Sequence, residues 1–433
     1  MLKKKNIFLN KSFLIYGLGK SGISSFLFLK KNNKVDVYDD NKPSINKKIK
    51  KSVIKLNEVN KKNYDFIVIS PGIDIKKCKL KSYLKKNLTK IVTDLDVFYN
   101  KYGNNKNITI TGTNGKSTTC QLLYEVLKKQ GYDIKLAGNI GYPILSIKNI
   151  KPKSIFVIEA SSYQLQYSKI FSSKYSTILN IKPDHLERHK TLKEYIKTKF
   201  KLINNQKSNS IAFVNKFDKN INEFLKKNTF KSKIIKVNTR LNNKYLLNFK
   251  NNYFLSTSNK ENLLFVLEII KRYRINKRLL IRAITNFKGL KYRQQTIYNK
   301  KNLKIINDSK STSYSSSIEM LKTSNNIYWL LGGIPKKGDK FNLSKIYYKN
   351  ISGYIFGKKS NKFLFDLQNK IKFKRFSNLK KALKAVCRDT KTDRSNMKTI
   401  LFSPAAASFD SFKNFEDRGF YFNKIIKKYF NDK

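Results

Sequence analysis

The stretch ITITGTNGKSTTCQLLYEVL, residues 108–127, joins a strand, a glycine turn and a helix start. Its isoleucines alternate as in a strand, and the apolar residues after the turn recur at helical spacing until Gly131, where we expect the helix to end. A phosphate-binding loop usually reads G-x-x-x-x-G-K-[ST]. Here Ile110 stands at the first glycine position, and Gly112 precedes Gly115 by only three residues. The stretch therefore predicts a shortened phosphate-binding loop.

The residues after this turn carry the chemistry that such a loop needs. A helix start offers backbone N–H groups and the positive end of a dipole to an anion. Lys116 adds a positive charge, and the hydroxyl of Ser117 or Thr118 can hold Mg²⁺. We therefore predict that this loop binds the phosphates of a nucleotide.

Two downstream strand ends supply further candidates. Glu159 ends the apolar run of SIFVIEASSYQLQ, and an acidic side chain there can join the Mg²⁺ shell. His185 and His189 are the only histidines in the chain. We expect His185, just past a strand end, to be a ligand or acid–base group, and His189 to be a solvated helix-start residue. Two histidines without a neighbouring cysteine do not make a zinc site.

The segment TLKEYIKTKFKLI, residues 191–203, predicts an amphipathic helix. Thr191 and Glu194 have the spacing of a capping box. Three lysines at i, i+4 and i+8 form a stripe that we expect to face water: Lys193, Lys197 and Lys201. Lys199 instead falls on the apolar side. Either it is buried, and needs a counter-charge or a changed protonation state, or its ammonium reaches solvent from the edge of the stripe.

The beginning and the end of the chain also alternate strands with helices. Gly17, Gly19 and Gly22 have the G-x-G-x-x-G spacing of a dinucleotide fold, and Asp39 ends the next strand about twenty residues later. A tight turn without a ligand remains the alternative. From about residue 290, polar or glycine residues follow several apolar runs: Asp308, Lys310, Gly332, Gly333, Gly357 and Ser403. Such residues are typical of a ligand crevice in an open α/β sheet, although each is also a common turn former.

The charge of the chain is extreme. Its 433 residues contain 92 Lys and Arg against 28 Asp and Glu, a formal net charge of +64. Nucleic acid or an anionic membrane would be one explanation. The lysines are spread over the whole length and accompany abundant Asn and Ile, which favours the composition of an AT-rich genome instead. Three scattered cysteines indicate no disulfide framework, and no apolar stretch reaches the ~18 residues of a membrane span. We expect a cytoplasmic protein.

Several of these motifs together resemble the Mur ligase family. The segments that carry the resemblance are TGTNGKST, EASSYQLQ, NIKPDHLERH, NDSKST, LGG and LFSPAAASFDSFKNFEDRG. The resemblance runs from Gly17 to about Phe422, and the last segment is most similar to the branch that adds D-glutamate to UDP-N-acetylmuramoyl-L-alanine. Another family member, such as a folylpolyglutamate synthase, usually has glycine where Ser117 follows the loop lysine. A basic nucleic-acid-binding NTPase is the alternative from a different class.

The resemblance implies an α/β fold with three domains. A Rossmann-like domain, residues 1–96, would bind the UDP-sugar. A P-loop-type central domain, residues 97–289, would bind ATP. A Rossmann-like domain, residues 290–433, would bind the incoming amino acid. The resemblance also implies that the protein is a monomer and that it binds neither a membrane nor a specific nucleic acid.

The resemblance further implies roles for single residues. ATP would contact Gly112, Thr113, Asn114, Gly115, Lys116, Ser117, Thr118, Asn259, Asn262, Arg293, Asp308 and Lys310. Two Mg²⁺ ions would be held by Ser117, Glu159, His185 and Lys199, the last as a carbamate. Lys116, His185 and Lys199 would serve catalysis. The UDP-sugar would contact Ser21, Asp39, Ser70 and Asn139, and D-glutamate would contact Thr312, Lys336, Ser408 and Phe415. The chain departs from the family pattern at Asn41, Ser258, Tyr292 and Ser313.

The implied reaction is an ATP-dependent amide ligation. The UDP-N-acetylmuramoyl-L-alanine carboxylate would attack the γ-phosphate, and the D-glutamate amine would displace phosphate from the acyl phosphate. Because two anions must approach each other, Mg²⁺ and Lys116 would screen their charges.

Overall fold

A computed structural model describes residues 6–41, 47–240, 249–300, 302–336, 338–395 and 397–430. The chain divides into two compact units. The first unit comprises residues up to 250 together with Glu261–Thr285, and the second comprises Asn251–Lys260 and the chain from Asn286 onward. Within the described residues, the first unit contains two parallel sheets and the second contains one mixed sheet. The predicted α/β fold is confirmed.

The first sheet is built from short strands, and its two central strands are almost entirely buried. Its strands are β1 Ser12–Tyr16, β2 Lys34–Tyr38, β3 Phe66–Ile69 and β4 Ile91–Val92. The helices of this region are α1 Lys20–Leu29, α2 Lys47–Lys50, α3 Leu56–Lys61 and α4 Lys81–Lys86. In the described chain the strands lie in the order β2-β1-β3-β4, all parallel. The glycine turn after β1 therefore lies at the carboxyl edge of a central strand, where open α/β sheets bind their ligands.

Helix α5, Asp94–Tyr102, carries the chain from the first sheet to the second. The strands of the second sheet are β5 Asn107–Thr111, β6 Ile134–Gly138, β7 Ile155–Glu159, β8 Tyr175–Ile178, β9 Ile211–Asn215 and β10 Lys233–Val237. Its helices are α6 Lys116–Lys129, α7 Ser162–Tyr167, α8 Leu186–His189, α9 Leu192–Asn204, α10 Lys219–Lys226, α11 Thr257–Ile270 and α12 Lys277–Thr285.

The described strands of the second sheet lie in the order β10-β9-β8-β5-β7-β6, all parallel. Strand β5 is central and fully buried, and it pairs with β7 on one side and β8 on the other. Parallel strands end at the same edge, so the loop after β5 lies between the ends of β7 and β8. This register brings the glycine turn, Glu159 and the segment after Ile178 to one place.

The third sheet belongs to the second unit. Its strands are β11 Gln295–Lys300, β12 Leu303–Asn307, β13 Ile327–Gly332, β14 Ile351–Phe356, β15 Lys372–Phe376 and β16 Lys398–Phe402. Its helices are α13 Tyr314–Thr323, α14 Asn361–Leu367, α15 Leu379–Thr392 and α16 Phe415–Phe430. Among the described strands the order is β11-β12-β16-β13-β14-β15, and β11 alone runs antiparallel to its neighbour. Chain segments after β12, β13 and β16 therefore meet at the same edge.

One buried carboxylate connects helix α5, which follows the first sheet, to a segment of the second sheet. Asp96 is fully buried, and its Oδ2 accepts hydrogen bonds from the backbone N–H and the hydroxyl of Thr93. Its Oδ1 accepts from the Ser168 hydroxyl and from three successive backbone N–H groups, of Lys169, Ile170 and Phe171. One hydrophobic cluster spans both regions, with Phe98 packed edge-on against Phe156 at 4.8 Å between ring centroids. Because six hydrogen bonds satisfy the oxygens of this carboxylate, its burial costs less free energy.

Candidate nucleotide and metal site

The shortened loop is a tight turn between β5 and α6. Ile110 lies inside the buried strand, which explains why no glycine stands at that position. Gly115 has φ of +85°, a left-handed conformation that disfavours a side chain. A Cβ on Gly115 would come within 2.2 Å of the Asn262 Oδ1 atom. Position 115 therefore favours glycine for two reasons: the left-handed backbone and the short distance to the Asn262 side chain.

Backbone hydrogen bonds hold the loop against the end of β8. The Thr113 N–H donates to the main-chain oxygen of Asn180 at 2.9 Å, and the Asn114 N–H donates to the Asn180 side-chain oxygen at 2.9 Å. The Lys182 N–H donates to the Thr113 hydroxyl at 3.0 Å. The loop is thus preorganised by the neighbouring strand, and sequence inspection alone did not identify Asn180 as its anchor.

Two lysine side chains converge on the turn. The Lys116 Nζ donates to the main-chain oxygens of Gly112 and Thr113, both at 2.8 Å. The Lys199 Nζ donates to the same Gly112 oxygen at 2.9 Å and lies 4.5 Å from the centre of the Tyr195 ring. Lys199 is 1% exposed, so the first of the two predicted alternatives is correct: this lysine is buried.

The protonation of Lys199 is strongly perturbed. Burial lowers its pKa well below the usual lysine range, and the nearby charge of Lys116 lowers that pKa further. The carboxylates of Asp184 and Glu159 act in the opposite direction. Desolvation penalises the ammonium form, and a second cation adds repulsion. The buried amine is therefore disposed to exist in its neutral, nucleophilic form.

Glu159 is a buried carboxylate with two fixed donors. The Ser117 hydroxyl donates to its Oε2 at 2.6 Å, and the Asn139 side-chain amide donates to its Oε1 at 2.8 Å. Glu159 ends β7, Ser117 opens α6, and Asn139 follows β6, so three element ends form this cluster. Thr118, the other hydroxyl candidate, is also buried. A hydroxyl and a carboxylate oxygen in contact are hard donors of the kind that Mg²⁺ prefers.

His185 is held by its own turn and by α7. Its backbone is left-handed, with φ of +55°, just before α8. Its Nδ1 lies 2.9 Å from the Tyr163 hydroxyl and 3.4 Å from a Glu187 carboxylate oxygen, while its Nε2 lies 3.4 Å from a carboxylate oxygen of Asp184. Polar partners on both ring nitrogens fix the plane of the imidazole. Neither Tyr163 nor Asp184 was recognised from the sequence as a site residue.

The prediction that His189 is solvated was wrong. His189 is 5% exposed, its Nε2 lies 3.0 Å from the Ser162 hydroxyl, and its ring stacks on Tyr163 and tilts against Tyr195. Burial, with the nearby positive charges of His185 and Lys199, lowers its pKa to about 4. The short helix α8 turns His189 inward onto α7, and periodicity over four residues could not reveal this turn.

The predicted lysine stripe on α9 is only partly correct. Lys193 and Lys197 are exposed, and Lys197 lies 3.2 Å from the Glu194 carboxylate. Lys201 was expected to face water but is half-buried, because its Nζ donates to the main-chain oxygen of Gln166. At the helix start, the Thr191 hydroxyl accepts from the Glu194 N–H at 3.2 Å, as an N-cap does.

The candidates for the UDP-sugar surround the first glycine turn. The Asp39 Oδ2 accepts from the Leu18 N–H at 2.6 Å, and the Ser70 hydroxyl donates to the Gly17 oxygen at 2.7 Å. The Ser21 hydroxyl, in the first turn of α1, donates to Asp94 Oδ2 at 2.6 Å. Burial raises the pKa of Asp94, whose role at this turn was not apparent from the sequence. Three of the four candidates thus lie at one glycine turn, whereas Asn139 lies on Glu159.

The second unit gathers its own candidates at the edge of the third sheet. The Asp308 Oδ1 accepts from the Gln294 N–H at 3.1 Å and its Oδ2 from the Ser403 hydroxyl at 3.0 Å, while burial raises its pKa to about 7. Lys310 Nζ lies 4.1 Å from the centre of the Phe415 ring, and the Arg293 guanidinium lies 6.0 Å from it.

The remaining candidates of the second unit are less closely connected. The Asn259 side-chain amide donates to Gln294 Oε1 at 3.0 Å, beside Arg293. Ser408 is buried, whereas Thr312 and Lys336 are half-buried on the segments after β12 and β13. Sequence inspection missed Arg418, which is fully buried and donates to the main-chain oxygens of Ser309 and Ala406 at 2.8 Å and 2.9 Å.

Comparison with known proteins identifies the family. The family model described as Mur ligase middle domain matches residues 110–280, and the one described as Mur ligase MurD-like, N-terminal domain matches residues 11–92. A Rickettsia felis protein named UDP-N-acetylmuramoylalanine–D-glutamate ligase is 34% identical over 96% of both chains. A protein of the same name from Buchnera aphidicola subsp. Schizaphis graminum is 34% identical over 97% of this chain and 99% of its own.

The chain belongs to the Mur ligase family.

Solved structures agree with the fold of this Mur ligase. MurF ligase from Thermotoga maritima in complex with ADP has a TM-score of 0.58 at 14% identity and covers 98% of this chain and 97% of its own. UDP-N-acetylmuramate–alanine ligase from the same organism has a TM-score of 0.56 at 14% identity, with coverage of 98% and 100%. In the described part of this Mur ligase, no helix combines the length and the apolar character needed to cross a membrane.

Mur ligases are ATP-dependent and use Mg²⁺, and the donor set of this Mur ligase fits both. No group of three or more His, Cys, Asp or Glu side chains converges as a ready-made metal cage among the described residues. Mg²⁺ typically binds through one or two carboxylates, substrate phosphates and water rather than an all-protein cage. The buried pair of Ser117 and Glu159 beside a glycine-lined helix start meets that requirement.

Proposed function

We propose that this Mur ligase joins D-glutamate to UDP-N-acetylmuramoyl-L-alanine with cleavage of ATP to ADP and phosphate, in the synthesis of peptidoglycan precursors. The observation that carries the proposal is the convergence of Lys116 and Lys199 on the Gly112 oxygen, beside the contact of Ser117 with Glu159. Full-length relatives named for this reaction, at 34% identity, support the choice of substrates.

The chemistry follows from where these groups lie. The substrate carboxylate attacks the γ-phosphorus of ATP, the bond to the bridging oxygen breaks, and ADP leaves an acyl phosphate. The D-glutamate amine then attacks the acyl carbon, loses a proton and releases inorganic phosphate as the amide forms. The first attack brings an anionic carboxylate to an anionic triphosphate, and in the second attack negative charge develops on the acyl oxygen. Lys116 and the α6 N-terminus supply positive potential there, and Mg²⁺, when bound, would neutralise phosphate charge further.

We propose that two Mg²⁺ ions bind at this site. Ser117 and Glu159 would hold the first through their contacting oxygens, as their 2.6 Å distance supports. His185 and Lys199, the latter as a carbamate, would hold the second. A neutral buried amine can attack CO₂ at carbon and lose a proton, which yields a carbamate anion. Carbamylation would place next to Lys116 an anion that both Lys116 and a metal stabilise.

The other candidate residues are assigned to the two substrates. Ser21, Asp39 and Ser70 would contact the UDP-sugar at the first glycine turn, with Asn139 contributing from the end of β6. Asn259, Asn262, Arg293, Asp308 and Lys310 would complete the ATP site. Thr312, Lys336, Ser408 and Phe415 would bind D-glutamate. We propose the corresponding domain division at residues 1–96, 97–289 and 290–433, a monomer, and a cytoplasmic location, where ATP and UDP-sugars are available.

A substrate-omission assay tests this function. Purified protein is given ATP, Mg²⁺, UDP-N-acetylmuramoyl-L-alanine and D-glutamate, and inorganic phosphate is measured with each component left out in turn. We expect phosphate release only with all four. Release with L-glutamate in place of D-glutamate, or stimulation by random duplex DNA without the UDP-sugar, would contradict the proposal.

A further inference from the structure

In the second unit, one aspartate joins two segments of the third sheet's carboxyl edge. The Tyr314 backbone N–H, at the first residue of α13, donates to the Asp339 Oδ2 atom at 2.7 Å. Asp339 lies after β13 and is 25 residues away in sequence. A side-chain oxygen that accepts from a first-turn N–H satisfies a group that α13 itself leaves unpaired. The contact therefore fixes the start of α13 relative to the segment after β13.

A second set of contacts reinforces this connection. The Lys362 Nζ donates to the main-chain oxygen of Asp339 at 2.7 Å, forms an ion pair with Asp366, and lies 5.6 Å from the centre of the Tyr314 ring. Two residues after Asp339, the Phe341 ring packs edge-on against the Tyr314 ring at 5.4 Å between centroids. The Asp339 side chain thus contacts Tyr314 directly, and the Asp339 backbone is connected to Tyr314 through Lys362.

The two joined segments carry the residues assigned above to D-glutamate. Thr312 lies two positions before Tyr314, and Lys336 lies three positions before Asp339. The Asp339 N–H also donates to the Lys336 oxygen at 3.4 Å, which closes a turn between them. We propose that Asp339 is a positioning residue that sets the distance between Thr312 and Lys336, and thereby the fit of the incoming amino acid. This inference rests on the proposed function.

A charge effect of Asp339 is the competing explanation, because Lys336 and Lys362 both interact with this carboxylate. The two explanations differ for a neutral side chain of the same shape. Asparagine keeps an oxygen that can accept from Tyr314 N–H but carries no charge. If Asp339 acts by position, Asp339→Asn behaves like the unsubstituted protein. If it acts by charge, Asp339→Asn behaves like Asp339→Ala.

The experiment compares Asp339→Ala and Asp339→Asn with the unsubstituted protein. For Asp339→Ala we expect the KM for D-glutamate to rise about tenfold or more, because small displacements of binding groups have large effects, while the KM for ATP changes less than about twofold. Asp339→Asn should retain the D-glutamate KM. Hydrogen exchange at the Tyr314 amide should accelerate in Asp339→Ala and not in Asp339→Asn.

Asn378→Ala is the matched control. The Asn378 side chain accepts from the Lys381 N–H at 3.0 Å and caps α15 in the same unit, so the variant removes a comparable cap elsewhere. It should leave the D-glutamate KM and Tyr314 exchange unchanged. Should Asp339→Ala not fold, Lys362→Met, which removes the backbone tie, is expected to raise the D-glutamate KM in the same direction.

Three outcomes would overturn the inference: equal effects of Asp339→Ala and Asp339→Asn, an unchanged D-glutamate KM in Asp339→Ala, or an equal rise in Asn378→Ala. Failure of the proposed function has a different signature, since the unsubstituted protein would then release no phosphate in response to D-glutamate.

Discussion

The side-chain nitrogens of Lys116 and Lys199 share one acceptor, the main-chain oxygen of Gly112, at 2.8 Å and 2.9 Å. Lys116 belongs to the first turn of α6 and Lys199 to the middle of α9, so 83 residues of sequence separate two amines that meet at one atom. The charge of Lys116 disfavours the ammonium form of the more deeply buried partner, Lys199. The effect of each lysine on activity should therefore depend on the other.

Substitution of Lys199 tests its part in the reaction. We expect Lys199→Ala to lower kcat about a hundredfold or more, the scale for loss of one preorganised electrostatic group, without loss of the folded state. Lys197→Ala, which removes an exposed lysine from the same helix, should keep kcat within about twofold. Steady-state phosphate release with circular dichroism measures both. Full activity of the unsubstituted protein after removal of bicarbonate and CO₂ would reject the carbamate.

The lowered pKa of Lys199 also predicts how stability depends on pH. Between the lowered pKa in the folded state and about 10.4 in the unfolded state, the unfolded chain binds the extra proton. The free energy of unfolding should therefore rise with pH through this window and lose that contribution as pH falls through the folded-state pKa. Denaturant unfolding of the unsubstituted protein and Lys199→Met, both without bicarbonate, should show this pH-dependent difference. A constant difference between the two proteins would contradict it.

Gly115 and Gly131 form a matched pair for testing the loop. Both have positive φ, +85° and +83°, but a Cβ would clash with Asn262 only at Gly115. We expect Gly131→Ala to lower the free energy of unfolding by about 1 kcal/mol from backbone strain, with unchanged ATP affinity. Gly115→Ala should weaken ATP binding about tenfold or more, because the Asn262 side chain or the loop must shift from its position in the site. Calorimetric titration with ATP distinguishes them, and equal ATP affinities would show that clearance at Asn262 is unimportant.

Glu159 should determine the response to Mg²⁺. In Glu159→Gln the Ser117 hydroxyl keeps a polar neighbour, but the site loses its negative charge. We expect the Mg²⁺ concentration for half-maximal activity to rise about tenfold or more. Glu125→Gln, on the same helix as Ser117 but bonded to Gln121, should leave it unchanged. Binding of Mn²⁺, followed by electron paramagnetic resonance, gives a readout without catalysis, and unaltered Mn²⁺ affinity in Glu159→Gln would exclude this metal role.

The two histidines allow a direct test of the interior of the site. Because its folded-state pKa is about 4, His189 should remain neutral down to that pH, and its ring resonances should not titrate near 6.5. Its contribution to folding is intact above about pH 6.5 and is lost as pH falls toward 4, roughly 3 kcal/mol in total. NMR of histidine-labelled protein contains only two ring systems to assign. Two titrations near 6.5 would refute the buried placement of His189.

Local sequence pattern was sufficient where the chemistry lies at strand ends. Three features directly follow apolar runs: Glu159, Asp308 and the turn after Ile110. Predicting the strands from these runs therefore also predicted where these features lie. Pattern also placed Lys199 on the buried face of α9, because seven residues from Leu192 complete two helical turns. The family motifs then supplied the α/β fold, which the structure confirms.

Contacts between distant segments could not be read from the sequence. His189 was misplaced because its burial depends on α7 packing over a four-residue helix, a tertiary feature without periodicity. Asp94, Asn180 and Asp339 hold site segments through hydrogen bonds that span between 25 and 73 residues. Each is an ordinary polar residue locally. Only the strand order shows which loops such residues join.

The six hydrogen bonds on Asp96 predict that the first two sheets unfold together. This carboxylate lies at the start of α5, and the shared apolar cluster extends to Phe156 and Phe171. Separating the two sheets would therefore break the hydrogen bonds to Asp96 and expose apolar side chains to water. A recombinant fragment that begins or ends at Asp96 would lose both these hydrogen bonds and the shared apolar cluster. Calorimetry should therefore resolve a single endotherm for the two sheets, and proteases that spare the intact chain should digest either half alone.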